Sequence, residues 1–189
     1  MSRDNDEMNS LQGQLLIASP GLLDPNFRRT VVLVIEHGEE GAAGIVLNRP
    51  SEAPVAEAVP QLEDLAEPEE PVYVGGPVES AAVVVLAEFE EPAEPAVPVL
   101  GDDVGFASLE DDPSELRGET RRRRVFAGYA GWGAGQLEAE LESEDWILEP
   151  ARPDDVFFED AEALWSSVLR RKGGVYELLA RIPADPSVN

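Results

Sequence analysis

The stretch Gly128–Leu137 reads Gly-Tyr-Ala-Gly-Trp-Gly-Ala-Gly-Gln-Leu, and its residue types come closest to ligand chemistry. It reads as a strand that passes through closely spaced glycines into a helix. Glycines let a backbone approach a ligand, and free N–H groups at a helix start favour anions. Glu149 follows about where a dinucleotide-binding unit places its ribose-binding acid. The fingerprint nevertheless fails. Gly131, Gly133 and Gly135 alternate, and its third position falls on Gln136. The same glycines also suit a tight strand-to-helix turn with Trp132 packed over it. Both readings stay open.

Gly75-Gly76-Pro77 is a second place for close backbone approach, and it matters if the fold sets it beside Gly131. Arg121–Arg124 are four consecutive arginines, the residue type suited to phosphate or carboxylate. Alternate strand residues point to opposite faces, so the four cannot all converge on one ligand. Arg28-Arg29 and Arg49 lie at the ends of an expected hairpin, where they form an anion-binding edge or simple ion pairs. His37 lacks a partner of the kind a general base needs, because no Gly-x-Ser-x-Gly elbow supplies a nucleophile. It reads as a hydrogen-bonded structural histidine. The pairs Asp102-Asp103, Asp111-Asp112 and Asp154-Asp155 do not match a calcium loop.

Composition narrows the chemistry further. The chain has 189 residues, no cysteine and one histidine, which rules out disulfides, thiolate metal sites and multi-histidine metal sites. No cofactor is expected. The formal charge is −25, and residues 50–116 hold 18 acids and no lysine or arginine. Such a field repels a phosphate backbone, so direct nucleic-acid binding is not expected. The longest apolar run, Ala81–Ala87, is too short to span a bilayer. The expected location is the cytoplasm, with no membrane association.

The elements that must position these residues follow from the pattern. Leu15–Ala18, Val72–Val74, Val83–Leu86, Val104–Phe106, Arg124–Tyr129 and Trp146–Glu149 read as strands, and Thr30–Leu47 as a hairpin. Short helices are expected around Val55–Val59 and Leu62–Leu65, a helical turn at Asp112–Arg117, and a helix at Ala134–Glu142. Ala161–Lys172 is the clearest helix. Leu164, Trp165, Val168 and Leu169 form its apolar stripe, acids open it, basic residues close it, and Gly173-Gly174 stops it.

Leu16–Pro50 (LIASPGLLDPNFRRTVVLVIEHGEEGAAGIVLNRP), Tyr73–Glu79 (YVGGPVE) and Tyr129–Leu148 (YAGWGAGQLEAELESEDWIL) together resemble the YqgE/AlgH family of bacterial proteins, from about Leu11 to about Leu179. The resemblance implies an α+β single domain, a mixed, bifurcated β-sheet with a barrel-like core and flanking helices. It implies no established enzymatic activity. Members are often described as transcriptional regulators, although the fold is not a familiar DNA-binding one. Arg28, Glu36, His37, Asn48, Arg49, Gly75, Gly76, Gly131, Trp132 and Gln136 fall on family pattern positions. Where many members carry an arginine and a histidine after the Gly-Gly-Pro-Val segment, this chain has Ala82 and Ala87.

The sequence therefore leads to one domain over residues 11–182, with a flexible N-terminus (1–10) and a tail (183–189). The leading function is a non-catalytic binding or regulatory protein, acting on transcription only indirectly, through a protein partner or a small anionic ligand. The alternative is a small-molecule or anion site, one that could support an enzyme, between the Gly75-Gly76 turn and the Gly131–Gln136 segment. Arg28, Asn48, Arg49, Gly75, Gly76, Gly131, Trp132 and Gln136 are its candidate residues. Monomer and homodimer both remain open, the latter with these segments as its interface.

Overall fold

Strands form where the β-branched and aliphatic runs lie. In the computed structural model, which describes residues 10–184, they are β1 (Gln14–Ala18), β2 (Val31–Gly38), β3 (Gly41–Val46), β4 (Pro50–Pro54), β5 (Pro71–Val74), β6 (Val78–Phe89), β7 (Val97–Leu100), β8 (Val104–Phe106), β9 (Thr120–Gly133) and β10 (Trp146–Pro150). The helices are α1 (Val55–Ala58), α2 (Pro113–Glu119), α3 (Gln136–Glu142), α4 (Pro153–Val156), α5 (Ala161–Lys172) and α6 (Val175–Leu179), with a 3-10 turn at Pro60–Leu65. The expected loose ends fall almost wholly in residues 1–9 and 185–189, outside the described residues. No helix among the described residues is long and apolar enough to cross a membrane.

The fold is α+β. One path of strands runs β10-β1-β2-β3-β9-β6-β8-β7, and β5 pairs with both β4 and β9. Among the described strands only β5 with β9 is parallel. The sheet curls around its core without closing, since β10 and β7 end the path unjoined. Its largest apolar cluster sets Leu15, Ile17, Leu33, Ile45 and Phe126 under Leu164, Trp165 and Val168 of α5. On the reverse face, α3 covers Leu16, Val32, Val34 and Trp132. A third cluster joins α1, the 3-10 turn and α2 to β6 and the first half of β9.

Helix α5 has the predicted bounds. Asp160 caps it by accepting from the Ala163 N–H at 3.3 Å, and Gly173 ends it at φ +79°. The Trp165 indole N–H donates to the Ala18 carbonyl at 2.8 Å, which fixes the helix to β1.

Strand β9 is longer at both ends than the run Arg124–Tyr129 predicted from sequence. Acids recruit the arginines, because Arg122 stands opposite Glu88 of β6. Small residues admit the glycines, because Gly131 and Gly133 pair with Ala43 and Gly41 of β3. Gly131 and Gly133 are thus strand residues. The turn is only Ala134-Gly135, and α3 starts at Gln136 rather than at the predicted Ala134.

The sheet forks on one edge of β9. Before Gly128 that edge carries β5, and after it β3. Gly128 makes the change of partner possible at φ +77°, a conformation costly for any other residue. Gly75 stitches the fork: its N–H donates to the Ala127 carbonyl and its carbonyl accepts from the Val46 N–H, both at 2.8 Å.

Candidate functional site

The two glycine motifs meet at this fork, backbone against backbone. A Cβ on Gly75 would overlap the Gly128 carbonyl, one on Gly76 the Tyr129 carbonyl group, and one on Gly128 the Gly76 carbonyl. Nothing fits between them. Gly75, Gly76 and Gly128 form a joint, and open space lies to either side of it.

The larger space beside the joint is a groove on β2, β3 and β9. A bulge between Val34 and Glu36 lets Glu36 stand opposite Ala43, and Ala43 stands opposite Gly131. These three residues therefore share the face that carries Ile45 towards α5. Beyond Ile45 the large side chains stop. Gly41, Ala43 and Gly131 floor a groove of about 410 Å³, bounded by Glu36, Glu40, Val78 and Tyr129 and touched by Trp132. Among the described residues no lysine or arginine lines it.

On the other side of the joint, Arg49, Asn26, Val74, Gly76 and Pro77 line a separate hollow of about 60 Å³. The structure thus brings Gly75 and Gly76 against β9 and sets Gly131 and Trp132 on one cavity and Arg49 and Gly76 on another. A further cavity of about 530 Å³ runs along β10 and α6, lined by Trp146, Leu148, Lys172, Tyr176 and Leu179, and includes none of the predicted site residues.

Asn48 and Arg49 hold backbone. The Asn48 side chain accepts from the Val31 N–H and donates to the Arg29 carbonyl, both at 2.9 Å. Arg49 donates to the carbonyls of Pro25 at 2.7 Å and Arg28 at 3.0 Å. Burial lowers the Arg49 pKa, and the nearby Asp24 charge opposes that. Arg28 reaches away from the groove to the Ala184 carbonyl at 3.0 Å. Gln136 accepts from the Gly133 N–H at 3.0 Å, which engages the amide an anion would have needed at this turn.

Trp132 belongs to the reverse face of the sheet. It stacks with Phe27 at 6.2 Å and meets Trp146 edge to face at 6.1 Å. Burial raises the Glu140 carboxyl pKa, and a hydrogen bond with Trp132 opposes the shift.

His37 is the structural histidine expected. Its Nδ1 accepts from the Leu11 N–H at 3.1 Å, so Nε2 carries the proton and donates to Glu138 at 2.6 Å. That hydrogen bond holds the Glu138 carboxyl below the usual carboxylate range. With both nitrogens engaged, the ring is not free to act as a base.

The four arginines of β9 do not all converge on one point, although Arg121 and Arg122 share Glu88. Arg121 meets Glu90 at 3.5 Å and Glu88 at 3.8 Å, while Arg122 meets Glu88 at 2.7 Å and Asp154 at 2.8 Å. Arg123 donates to the Leu65 carbonyl at 2.7 Å. Arg124, its pKa lowered by burial, donates to the carbonyls of Val156 and Phe158 and lies 4.3 Å from the Tyr73 ring centre.

Sequence reasoning missed Glu40, Gly41, Ala43, Val78 and Tyr129 as groove residues. A signal was present. Gly41-Ala42-Ala43-Gly44 and Gly131-Trp132-Gly133 are small at alternate positions, and two such strands side by side leave one face of a sheet bare.

A family model described as AlgH-like matches residues 15–177. A UPF0301 protein of Streptomyces coelicolor is 42% identical over 188 residues, covering 97% of each chain. A crystal structure of a protein from Corynebacterium diphtheriae superposes with a TM-score of 0.82 at 30% identity, covering 90% of this chain and 92% of that one. The solution structure of the AlgH protein from Pseudomonas aeruginosa gives a TM-score of 0.66 at 32% identity, covering 94% and 97%.

Proposed function

The chain belongs to the AlgH-like family, and from that premise we propose that it is a non-catalytic binding or regulatory protein whose contact surface is the groove on β2, β3 and β9. The observation that carries this reading is the bare floor of Gly41, Ala43 and Gly131. Elsewhere this sheet face is filled by Leu33, Ile45 and Leu47 under α5. A face that loses its large residues while keeping its strands accepts another chain's side chains without rearrangement.

The occupant is a protein partner with a neutral or basic contact patch. Glu36 and Glu40 border the groove without a basic neighbour among the described residues of its lining, so a small anion would be repelled there. Any influence on transcription runs through that partner. A net charge of −25 disfavours direct contact with DNA.

A photo-reactive residue at Glu39, in the turn beside the groove, tests this in cells. We expect a discrete cross-linked protein from that position and none from Glu142, on the reverse side at the end of α3. Equal cross-linking from both positions, or from neither, overturns the reading. So does saturable DNA binding by the purified protein at moderate salt.

A further inference from the structure

We propose that Arg28 and Arg29 form a site for a small oxyanion of the phosphate type, partly covered by the chain's own residues 182–184. It lies away from the groove and does not depend on it.

The first observation is convergence. Consecutive residues in a regular strand point to opposite faces. Arg29 instead adopts φ +56°, a left-handed conformation uncommon for a residue with a side chain. The result is that both guanidinium groups reach one segment. Arg28 donates to the Ala184 carbonyl at 3.0 Å, and Arg29 donates to the Ile182 carbonyl at 2.9 Å. The backbone that aims them is clamped, since Arg49 binds the Arg28 carbonyl and Asn48 binds the Arg29 carbonyl. Asn48 and Arg49 are positioning residues for this site.

The second observation is charge. Acids outnumber bases 39 to 14 in this chain, so carboxylates are the abundant partner for an arginine. Arg117, Arg121, Arg122 and Arg171 pair with one, whereas Arg49, Arg123 and Arg124 fasten backbone carbonyls. Arg28 and Arg29 have no carboxylate within 4 Å among the described residues. Their only hydrogen-bond acceptors there are two neutral carbonyls, although each guanidinium has five N–H donors. The two positive groups also oppose each other. Burial lowers the Arg29 pKa, and the Arg28 charge lowers it further. An oxyanion would relieve that repulsion and take several donors at once.

The third is a receptive wall. A cavity of about 50 Å³ is lined by Arg28, Arg29 and Ser19 and otherwise by apolar residues, Trp165 and Ile182 among them. That is room for a small oxyanion and too little for a nucleoside. The Arg29 guanidinium lies 4.1 Å from the Trp165 ring centre, and Trp165 is itself fixed to Ala18. Stacking holds the guanidinium flat with its edge donors turned outward. Ile182 and Ala184 supply the carbonyls that a bound anion would displace.

The test titrates inorganic phosphate into the full-length protein at constant ionic strength, following the Trp165 indole resonance by NMR, with chloride and adenosine monophosphate as parallel arms. We expect a saturable shift with phosphate and none with chloride. Arg28→Gln and Arg29→Gln should each weaken binding at least tenfold with the thermal midpoint little changed. Arg28 is exposed, so its variant stays informative if that of Arg29 unfolds. A chain ending at Arg181 should bind phosphate several-fold tighter, because the competing carbonyls are gone. Equal affinity for the monophosphate nucleotide would identify a phosphoryl group on a larger molecule as the ligand, and weaker binding would identify free phosphate. A linear response shared with chloride, or saturation unchanged in Arg28→Gln, overturns the site. Unchanged affinity in the shortened chain overturns the covering role of residues 182–184.

Discussion

Strand β9 carries the two most conspicuous motifs of the chain in its two halves, and they behave oppositely. In the first half, Arg121–Arg124 supply abundant charge, yet every guanidinium is engaged by the protein itself. In the second half, Gly131 and Gly133 supply no side chain at all, and there the sheet face stays open. Between them Gly128 changes the strand's neighbour from β5 to β3. The lesson is that a motif's chemistry depends on what stands opposite it. Arginines opposite acids and carbonyls become fasteners. Glycines opposite other small residues leave a surface.

The glycines allow the sharpest challenge to that contrast. Gly76→Ala puts a methyl group into the Tyr129 carbonyl, where neither backbone can yield while the fork persists. We expect a loss of at least about 4 kcal/mol in urea unfolding. Gly131→Ala should stay within about 1 kcal/mol of the parent. Its new Cβ would meet only Tyr129 Cε2 at 3.6 Å and Val78 Cγ2 at 3.8 Å, which is ordinary contact. Similar costs at the two positions would show that the joint and the groove are not distinct.

Within the arginine half the order should follow burial. Arg124→Ala strands the carbonyls of Val156 and Phe158 and should cost about 2–3 kcal/mol. Arg121→Ala removes two long ion pairs from a side chain that is 66% exposed, and should cost no more than about 0.5 kcal/mol. Equal losses would mean that exposed charge, and not the carbonyl clamp, holds this half in place.

The smallest effect concerns the reverse face of the open half. Glu138 has its pKa lowered by the His37 hydrogen bond. A carboxyl with a depressed folded-state pKa contributes stability above its unfolded value of 4.5, and loses it as pH falls through the folded value. The difference in thermal midpoint between the parent and Glu138→Gln should be constant near neutrality and shrink as pH falls below about 4.5. A difference that does not change with pH would mean that the hydrogen bond does not favour the ionised Glu138 carboxylate.

Much of this was legible in the sequence. The strand β1, the β2–β3 hairpin and helix α5 follow from apolar periodicity, because each buries one regular face. That Arg121–Arg124 do not all converge follows from strand alternation, whereas the Glu88 that Arg121 and Arg122 share lies at a register shift between β6 and β9. The extent of β9 did not, because Gly131 and Gly133 look like a turn until Gly41 and Ala43 are seen beside them. The roles of Asn48 and Arg49 were hidden for a similar reason. Their partners are backbone carbonyls and an amide of residues 25–31, and backbone groups leave no mark on residue type. Ala87 is fully buried opposite Gly105 and Arg123, so a histidine there would need a different neighbourhood.

The most direct measurement repeats the cross-linking from Glu39 in two backgrounds, Gly131→Val and Arg121→Ala, with the thermal midpoint of each checked beside the parent. Valine at 131 fills the groove from its floor, whereas Arg121 lies in the other half of β9. We expect that Gly131→Val abolishes the cross-linked species while the protein stays folded, and that Arg121→Ala leaves it intact. A cross-link that persists with the groove filled, or that disappears with Arg121→Ala alone, would contradict that expectation.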